Sequence, residues 1–310
     1  AGNNQGFLVG HGDPLATFRC CPGASQPGGA DDAGDHDVSF RGRCHPLDSL
    51  VMFAGPDAAD RVSAEPADTL TLDIVGPCAA HLDADDDNLV LRAARALCAR
   101  EGRARGAALT LDKHLPVAAG IGGGSADAGA ALRVLQELWS LDRDLIRQVA
   151  APLGGDVPVA LEGRTALMQG EGEIVRVQTG LPQLPAVLVN PGLDCPTGPV
   201  FRAFDEGARG TGFAALEAVP DLPSPAEVIE WLKDQRNDLE PSAIRLVPEI
   251  RGVLDTLNVT PGARLARMSG SGATCFALFE TIEAAQSAAR TLERAHPSWW
   301  IRATSLGDAR

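Results

Sequence analysis

Hydrophobic and polar positions change period several times along this chain, and the changes predict a mixed α and β protein. Leu70, Leu72 and Ile74 alternate with polar residues in "DTLTLDIVG", the signature of a half-buried strand. "LDSLVMFA", from Leu47, reads as another strand. "DDDNLVLRAARALCAR" has acids at its start, arginines at its end and apolar residues at helical spacing, which predicts a helix with charges matched to its dipole. "GAALTLDKHLP" is a strand that runs straight into a glycine-dense loop. The helix after that loop places Ala128, Ala131, Leu132, Leu135, Leu138 and Trp139 on one side.

Further on, "DLIRQVAAPLGGDVPVAL" gives a helix, a Gly-Gly turn and then Asp156. "RTALMQGEGEIVRV" reads as a hairpin and "PAVLVNPG" as a strand ending at a turn. "ATCFALF" is a strand, "TIEAAQSAARTLERAH" a helix starting at Thr281, and "SWWIRATSL" a last strand. With "LARMSGSGA" before it, this β-α-β end predicts a second α+β domain. The join falls within Arg164–Pro185, giving domains over 1–165 and 166–310. Residues 1–43 differ from the rest: "CCPGASQPGGADDAGDHD" has no apolar period, and its Gly, Pro and Asp content predicts loop or disorder.

Composition narrows the function. The chain has 310 residues, 45% hydrophobic, and a formal net charge of −14, which argues against nucleic acid as a partner. Only Lys113 and Lys233 are lysines. The seven cysteines form no C-x-x-C pair, so reduced thiols are expected rather than a metal cluster or disulfide framework. No apolar run reaches the roughly 18–20 residues that span a membrane. A cytoplasmic protein, monomer or homodimer, with a small-molecule substrate is the expectation.

The sharpest feature is "LPVAAGIGGGSADAGAAL", with four glycines between Gly120 and Gly124 at the mouth of a helix. Strand, glycine loop and helix N-terminus together make an anion site, because unpaired N–H groups and the helix dipole favour negative charge. Ser125 can cap the helix or offer its hydroxyl to a phosphate. A Walker loop would need a lysine after the glycines, and a Rossmann loop a glycine where Ser125 stands.

The pattern P-x-x-x-G-x-G-G-G-S-[SA] resembles the ATP loop of the GHMP kinases. More narrowly it resembles the 4-diphosphocytidyl-2-C-methyl-D-erythritol kinase family. "CHPLDSLVMFA", "DNLVLRAARAL", "LGGDVPVAL", "CPTGPVFRAF", "RNDLEP" and "MSGSGATCFALF" match that family's other landmarks in order, so the resemblance covers about residues 44–306. It implies an α+β, two-domain GHMP kinase fold, with a ribosomal protein S5 domain 2-like N-terminal domain and a ferredoxin-like C-terminal domain. It implies ATP-dependent phosphorylation of the 2-hydroxyl of 4-(cytidine 5′-diphospho)-2-C-methyl-D-erythritol. The ATP-binding residues would be Pro116, Val117, Ala118, Ala119, Gly120, Ile121, Gly122, Gly123, Gly124, Ser125 and Ala126.

Asp156 matches the catalytic aspartate, and a carboxylate there suits a group that accepts or orients the proton of an attacking hydroxyl. His45 matches the cytosine-contacting histidine. Thr197, Gly270, Ser271 and Gly272, with Ala273, would lie near substrate. Lys113 either meets the nucleotide or is a solvated strand-end lysine. Mg²⁺ is expected because triphosphate charge must be neutralised, though no metal ligand is legible. Asn88 and Asn237 read as caps.

The chain also departs from the family. Its A-x-[AS]-K-[IVL]-N-L motif has no counterpart, since residues 1–112 contain no lysine, and Cys44 stands in the tyrosine position. The break near residue 43 fits a shifted reading frame or a misassigned start. Two alternatives follow: an impaired or non-catalytic nucleotide-binding homologue, or another GHMP small-molecule kinase such as homoserine kinase.

Overall fold

Period-2 and period-3.6 segments become strands and helices where the pattern is strong. In the computed structural model the described residues are 8–12, 15–19, 47–85, 87–207, 216 and 218–308. The strands are β1 (Leu8–Gly12), β2 (Leu15–Arg19), β3 (Leu47–Ala54), β4 (Asp60–Pro66), β5 (Leu70–Val75), β6 (Ala107–Asp112), β7 (Ala166–Gly170), β8 (Ile174–Val177), β9 (Leu184–Asn190), β10 (Leu265–Met268), β11 (Cys275–Leu278) and β12 (Trp300–Gly307). The helices are α1 (Leu89–Glu101), α2 (Gly123–Trp139), α3 (Arg143–Leu153), α4 (Val157–Glu162), α5 (Thr197–Glu206), α6 (Pro225–Lys233), α7 (Glu240–Leu246), α8 (Glu249–Asn258) and α9 (Ile282–Ala295).

A smaller sheet runs β1-β4-β6-β5. Only β5 and β6 are parallel in it, and α1 makes the crossover between them. A larger sheet runs β10-β11-β9-β12-β3-β7-β8, with β2 paired to β3. It draws strands from both sides of residue 165, because β3 pairs with β7 and with the end of β12. The expectation of loop or disorder over residues 1–43 is corrected within that span. β1 pairs with β4 and β2 with β3, so backbone hydrogen bonding to existing strands supplies order that composition does not signal.

Local chemistry sets the helix ends. Asn88 caps α1 by accepting the Val90 N–H at 3.0 Å, and Gly102 closes it in the left-handed conformation. Thr281 caps α9 through the Ala284 N–H at 3.2 Å. Helix α2 has no side-chain cap. It is buried on more than the one expected face: Ala126, Asp127, Gly129, Ala130 and Val134 are covered as well as Ala128, Ala131, Leu132, Leu135 and Trp139. Its small residues permit this, since helices α1, α3 and α4 all pack on it. A Cβ on Gly129 would lie 2.9 Å from the Ala160 carbonyl carbon.

Two helical glycines therefore respond to the same substitution with opposite sign. Gly129→Ala forces α2 from α4 and is expected to cost about 1–3 kcal/mol. At Gly252 of α8 a Cβ would meet nothing within 4 Å. Gly252→Ala gains helix propensity and is expected to add up to about 1 kcal/mol. Urea unfolding of both variants checks this, and shifts of the same sign would contradict the packing described.

Candidate active site

The parallel strand β6 ends at Asp112 and delivers the chain to Lys113 and the glycine loop. Leu115, Ala119 and Ile121 point inward and are buried with Trp300 beside them. The Trp300 indole donates to the His114 carbonyl at 3.1 Å. The loop is thus nailed down by apolar residues, while positions 116–120 and 122–125 line a cavity. Ala118 takes a φ of +51°, uncommon for a residue with a Cβ, and its carbonyl accepts the Cys195 N–H at 3.4 Å.

The loop rests on a second one, residues 269–274, between β10 and β11. Thr274 N–H donates to the Ala119 carbonyl at 3.0 Å. A Cβ on Gly120 would fall 2.2 Å from the Gly272 oxygen, and Gly120 has φ +69°. Only glycine satisfies both conditions there. The second loop is held in turn by Asn190, whose amide donates to Thr274 Oγ1 at 2.9 Å, and by Asn237.

A cavity of about 400 Å³ opens above these loops. It is lined by residues 116–120 and 122–125, by Asp156, and by Thr197, Gly270 and Ser271. Most of the site residues named from sequence are therefore brought to one place. Ile121 and Ala126 are buried behind the lining, and Gly272 lies under Gly120 instead of facing the cavity. His45 lies outside the described residues. The first N–H groups of α2 have no intrahelical acceptor and no side-chain cap, so they are donors available to an anion.

Asp156 stands at the N-cap position of α4, but its side chain does not cap that helix. The preceding Gly155 answers to backbone contact: a Cβ there would lie 2.3 Å from the Glu171 oxygen in the β7–β8 turn. The hairpin turn thus fixes where Asp156 enters the cavity. Thr197 and Ser271 line the same cavity, with Thr197 Oγ1 and Ser271 Oγ 2.9 Å apart.

Lys113 is not a solvated strand-end residue; it is 2% exposed. Its ammonium sits 2.6 Å from Asp60 Oδ2 and 2.7 Å from Asp127 Oδ2, beneath the first turn of α2. A Cβ on Gly123 would be 3.4 Å from its Nζ. Asp60 is completed by the His114 and Leu115 N–H groups at 2.6 and 2.9 Å. Asp127 Oδ1 has no donor among the described residues. Burial works against the Lys113 charge, but Asp127 and Asp60 outweigh it and hold the ammonium above its usual range. Burial pushes the Asp127 carboxyl up to about 7, against the pull of Lys113.

Sequence reasoning missed this triad, Asn237's grip on the second loop, and the apolar wall of Leu82, Leu89 and Val90 around Asn88. The one available signal was Asp127, an acid flanked by small apolar residues in a helix that had to be buried.

Among known proteins, the chain matches the model of the GHMP kinases N terminal domain over residues 88–164 and that of the GHMP kinases C terminal domain over 214–298. A 4-diphosphocytidyl-2-C-methyl-D-erythritol kinase of Hyphomonas neptunium is 55% identical over 269 residues, 86% of this chain and 90% of that protein. One from Cereibacter sphaeroides is 52% identical over 258 residues, 83% and 89% of the two chains. The crystal structure of a 4-(cytidine 5′-diphospho)-2C-methyl-D-erythritol kinase superposes with TM-score 0.69 at 31% identity, covering 97% of this chain and 99% of that one. Homoserine kinase from Cytophaga hutchinsonii, at 16% identity and TM-score 0.63, covers 98% and 96% and shares the fold.

The buried triad makes a pH prediction. The folded state keeps the Asp127 proton to about pH 7, whereas an unfolded carboxyl loses it near pH 3.9. Between those values the folded state binds more protons, so this group's contribution to stability falls as pH rises. Asp127→Asn removes that fall. Urea unfolding from about pH 5 to about pH 8 should show the wild type losing stability relative to the variant as pH rises. A constant difference would contradict the assignment.

Proposed function

The chain belongs to the 4-diphosphocytidyl-2-C-methyl-D-erythritol kinase family of the GHMP kinases, and we propose that its cavity binds ATP over the N-terminus of α2 with the acceptor alcohol beside Asp156. It is an ATP-dependent small-molecule kinase, a transferase of isoprenoid precursor biosynthesis. The reaction is transfer of the ATP γ-phosphate to the 2-hydroxyl of 4-(cytidine 5′-diphospho)-2-C-methyl-D-erythritol. One observation carries the site assignment: a helix N-terminus without a side-chain cap and a carboxylate that does not cap its own helix line the same cavity.

The chain's own groups divide the work. Backbone N–H groups of residues 122–125 receive phosphate oxygens, and the α2 dipole adds to their attraction. Asp156 orients the acceptor hydroxyl and takes up its proton. The Thr197 and Ser271 hydroxyls, which line the same cavity, help position the acceptor. Leu82, Leu89 and Val90 offer an apolar surface to the adenine. Lys113 is the one cation among the described lining residues, and two carboxylates already balance it. Its role is to support Gly123 from below.

No group of three or more His, Cys, Asp or Glu side chains is poised for a metal among the described residues. Ser125 and Asp156 share the cavity, however, and one hydroxyl plus one carboxylate suits a Mg²⁺ that the triphosphate itself largely coordinates. When bound, Mg²⁺ would neutralise the charge on the transferring phosphoryl group. The family resemblance implies a cytosine contact for His45, which lies outside the described residues. No helix among the described residues is long and apolar enough to cross a membrane, and we place the chain in the cytoplasm.

The decisive variant is Asp156→Asn. Substrate-dependent ADP release should fall by about 10²–10⁴-fold, while the affinity for ATP changes by less than about threefold. Turnover equal to wild type would remove Asp156 from the mechanism.

A further inference from the structure

Asn237 does not line the cavity, yet it grips the loop that does. It is 7% exposed and sits at the entrance to α7. Its Oδ1 accepts the Leu239 N–H at 3.0 Å, which fixes the side chain. Its Nδ2 donates to two carbonyls, Met268 at 3.0 Å and Gly270 at 2.7 Å. One helical turn later, Glu240 Oε2 accepts the Met268 N–H at 3.4 Å. Two side chains of "RNDLEP" thus take both backbone polar groups of Met268, as a neighbouring strand would.

The carbonyls of Ser269 and Ser271 are also held. Ser269 accepts the Gly272 N–H at 2.9 Å, and Ser271 accepts the Cys195 thiol at 3.1 Å. Of the four consecutive carbonyls from Met268 to Ser271, Asn237 holds two. Gly270 and Ser271 reach the cavity, and Ser271 carries the hydroxyl contact to Thr197. The next residues carry the glycine loop, through Gly272 under Gly120 and Thr274 N–H on Ala119. A buried amide outside the site therefore sets the height of both loops that form it.

We propose that Asn237 is a positioning residue for phosphoryl transfer, holding the Gly270–Ser271 loop so that the Thr197–Ser271 hydroxyl pair and the glycine loop keep their mutual register. The inference rests on the kinase reading above. Asn237→Asp tests it, because the substitution keeps size and the acceptor for Leu239 but turns a carboxylate toward two carbonyls. Asn237→Ala, which removes the donor without adding charge, serves if the aspartate variant does not fold.

Three readouts separate positioning from general support. The expected result is a kcat lower by about 10–100-fold, with KM for ATP changed far less. Amide exchange should quicken over residues 269–274 and 115–124 while α9 stays as in wild type. In a double variant with Ser271→Ala, kcat should be no lower than in the worse single variant. A kcat within about twofold of wild type, exchange that quickens equally everywhere, or losses that multiply would each overturn the proposal. A wild-type chain without turnover would count against the kinase reading, and the exchange comparison would still decide whether Asn237 holds both loops.

Discussion

Two loops meet backbone to backbone at the centre of this molecule, and the site depends on that contact. Gly120 lies so close to Gly272 that a methyl group would overlap the peptide oxygen at 2.2 Å. The Thr274 N–H on the Ala119 carbonyl closes the contact. One loop follows the smaller sheet through β6, and the other joins β10 to β11 in the larger sheet. Their contact brings residues from both sheets to one cavity, whose lining includes the first turn of α2 and the residues Thr197 and Ser271. Glycine's entropic cost is offset here because no other residue allows the approach.

Electrostatics under the loop follow a different logic from that on top. The upper surface offers N–H groups and a helix dipole, which attract anions without a mobile charged side chain. Below it, one ammonium is shared by two carboxylates in a buried triad. Such groups are costly to bury and specify geometry when satisfied. Asp60 is fully satisfied, whereas Asp127 keeps one oxygen without a donor among the described residues. Burial disfavours the Asp127 charge and the nearby Asp60 carboxylate adds to that, so the affinity of Asp127 for a proton rises despite the pull of Lys113.

How much of this was legible in the sequence depends on the range of each interaction. The glycine loop, the helix behind it and the caps at Asn88 and Thr281 are local, and their residues spell them directly. Asp156 was legible through "LGGDVP", but the reason for its two glycines was not. For Gly155 it is the hairpin turn at Glu171, which only the fold brings near. Lys113 and Asp60 are 53 residues apart, and Asn237 and Met268 are 31 apart. No period or motif encodes such pairs. Asn237 read as a cap, but the N-cap position of α7 is Leu239, without a side-chain cap; Asn237 closes a local turn on the Leu239 N–H instead, and its second task depends on a loop from elsewhere. In residues 1–43 the strands β1 and β2 escaped notice because each is 5 residues long and is ordered by pairing rather than by pattern.

ATP affinity of Gly120→Ala, measured by calorimetry beside wild type with folding monitored by circular dichroism, is the most direct test that the loop contact builds the nucleotide site. The methyl group meets the Gly272 backbone, and the φ of +69° disfavours any side chain. The account predicts a folded variant whose affinity for ATP is weaker by about tenfold or more. A folded variant that binds ATP as tightly as wild type would contradict it.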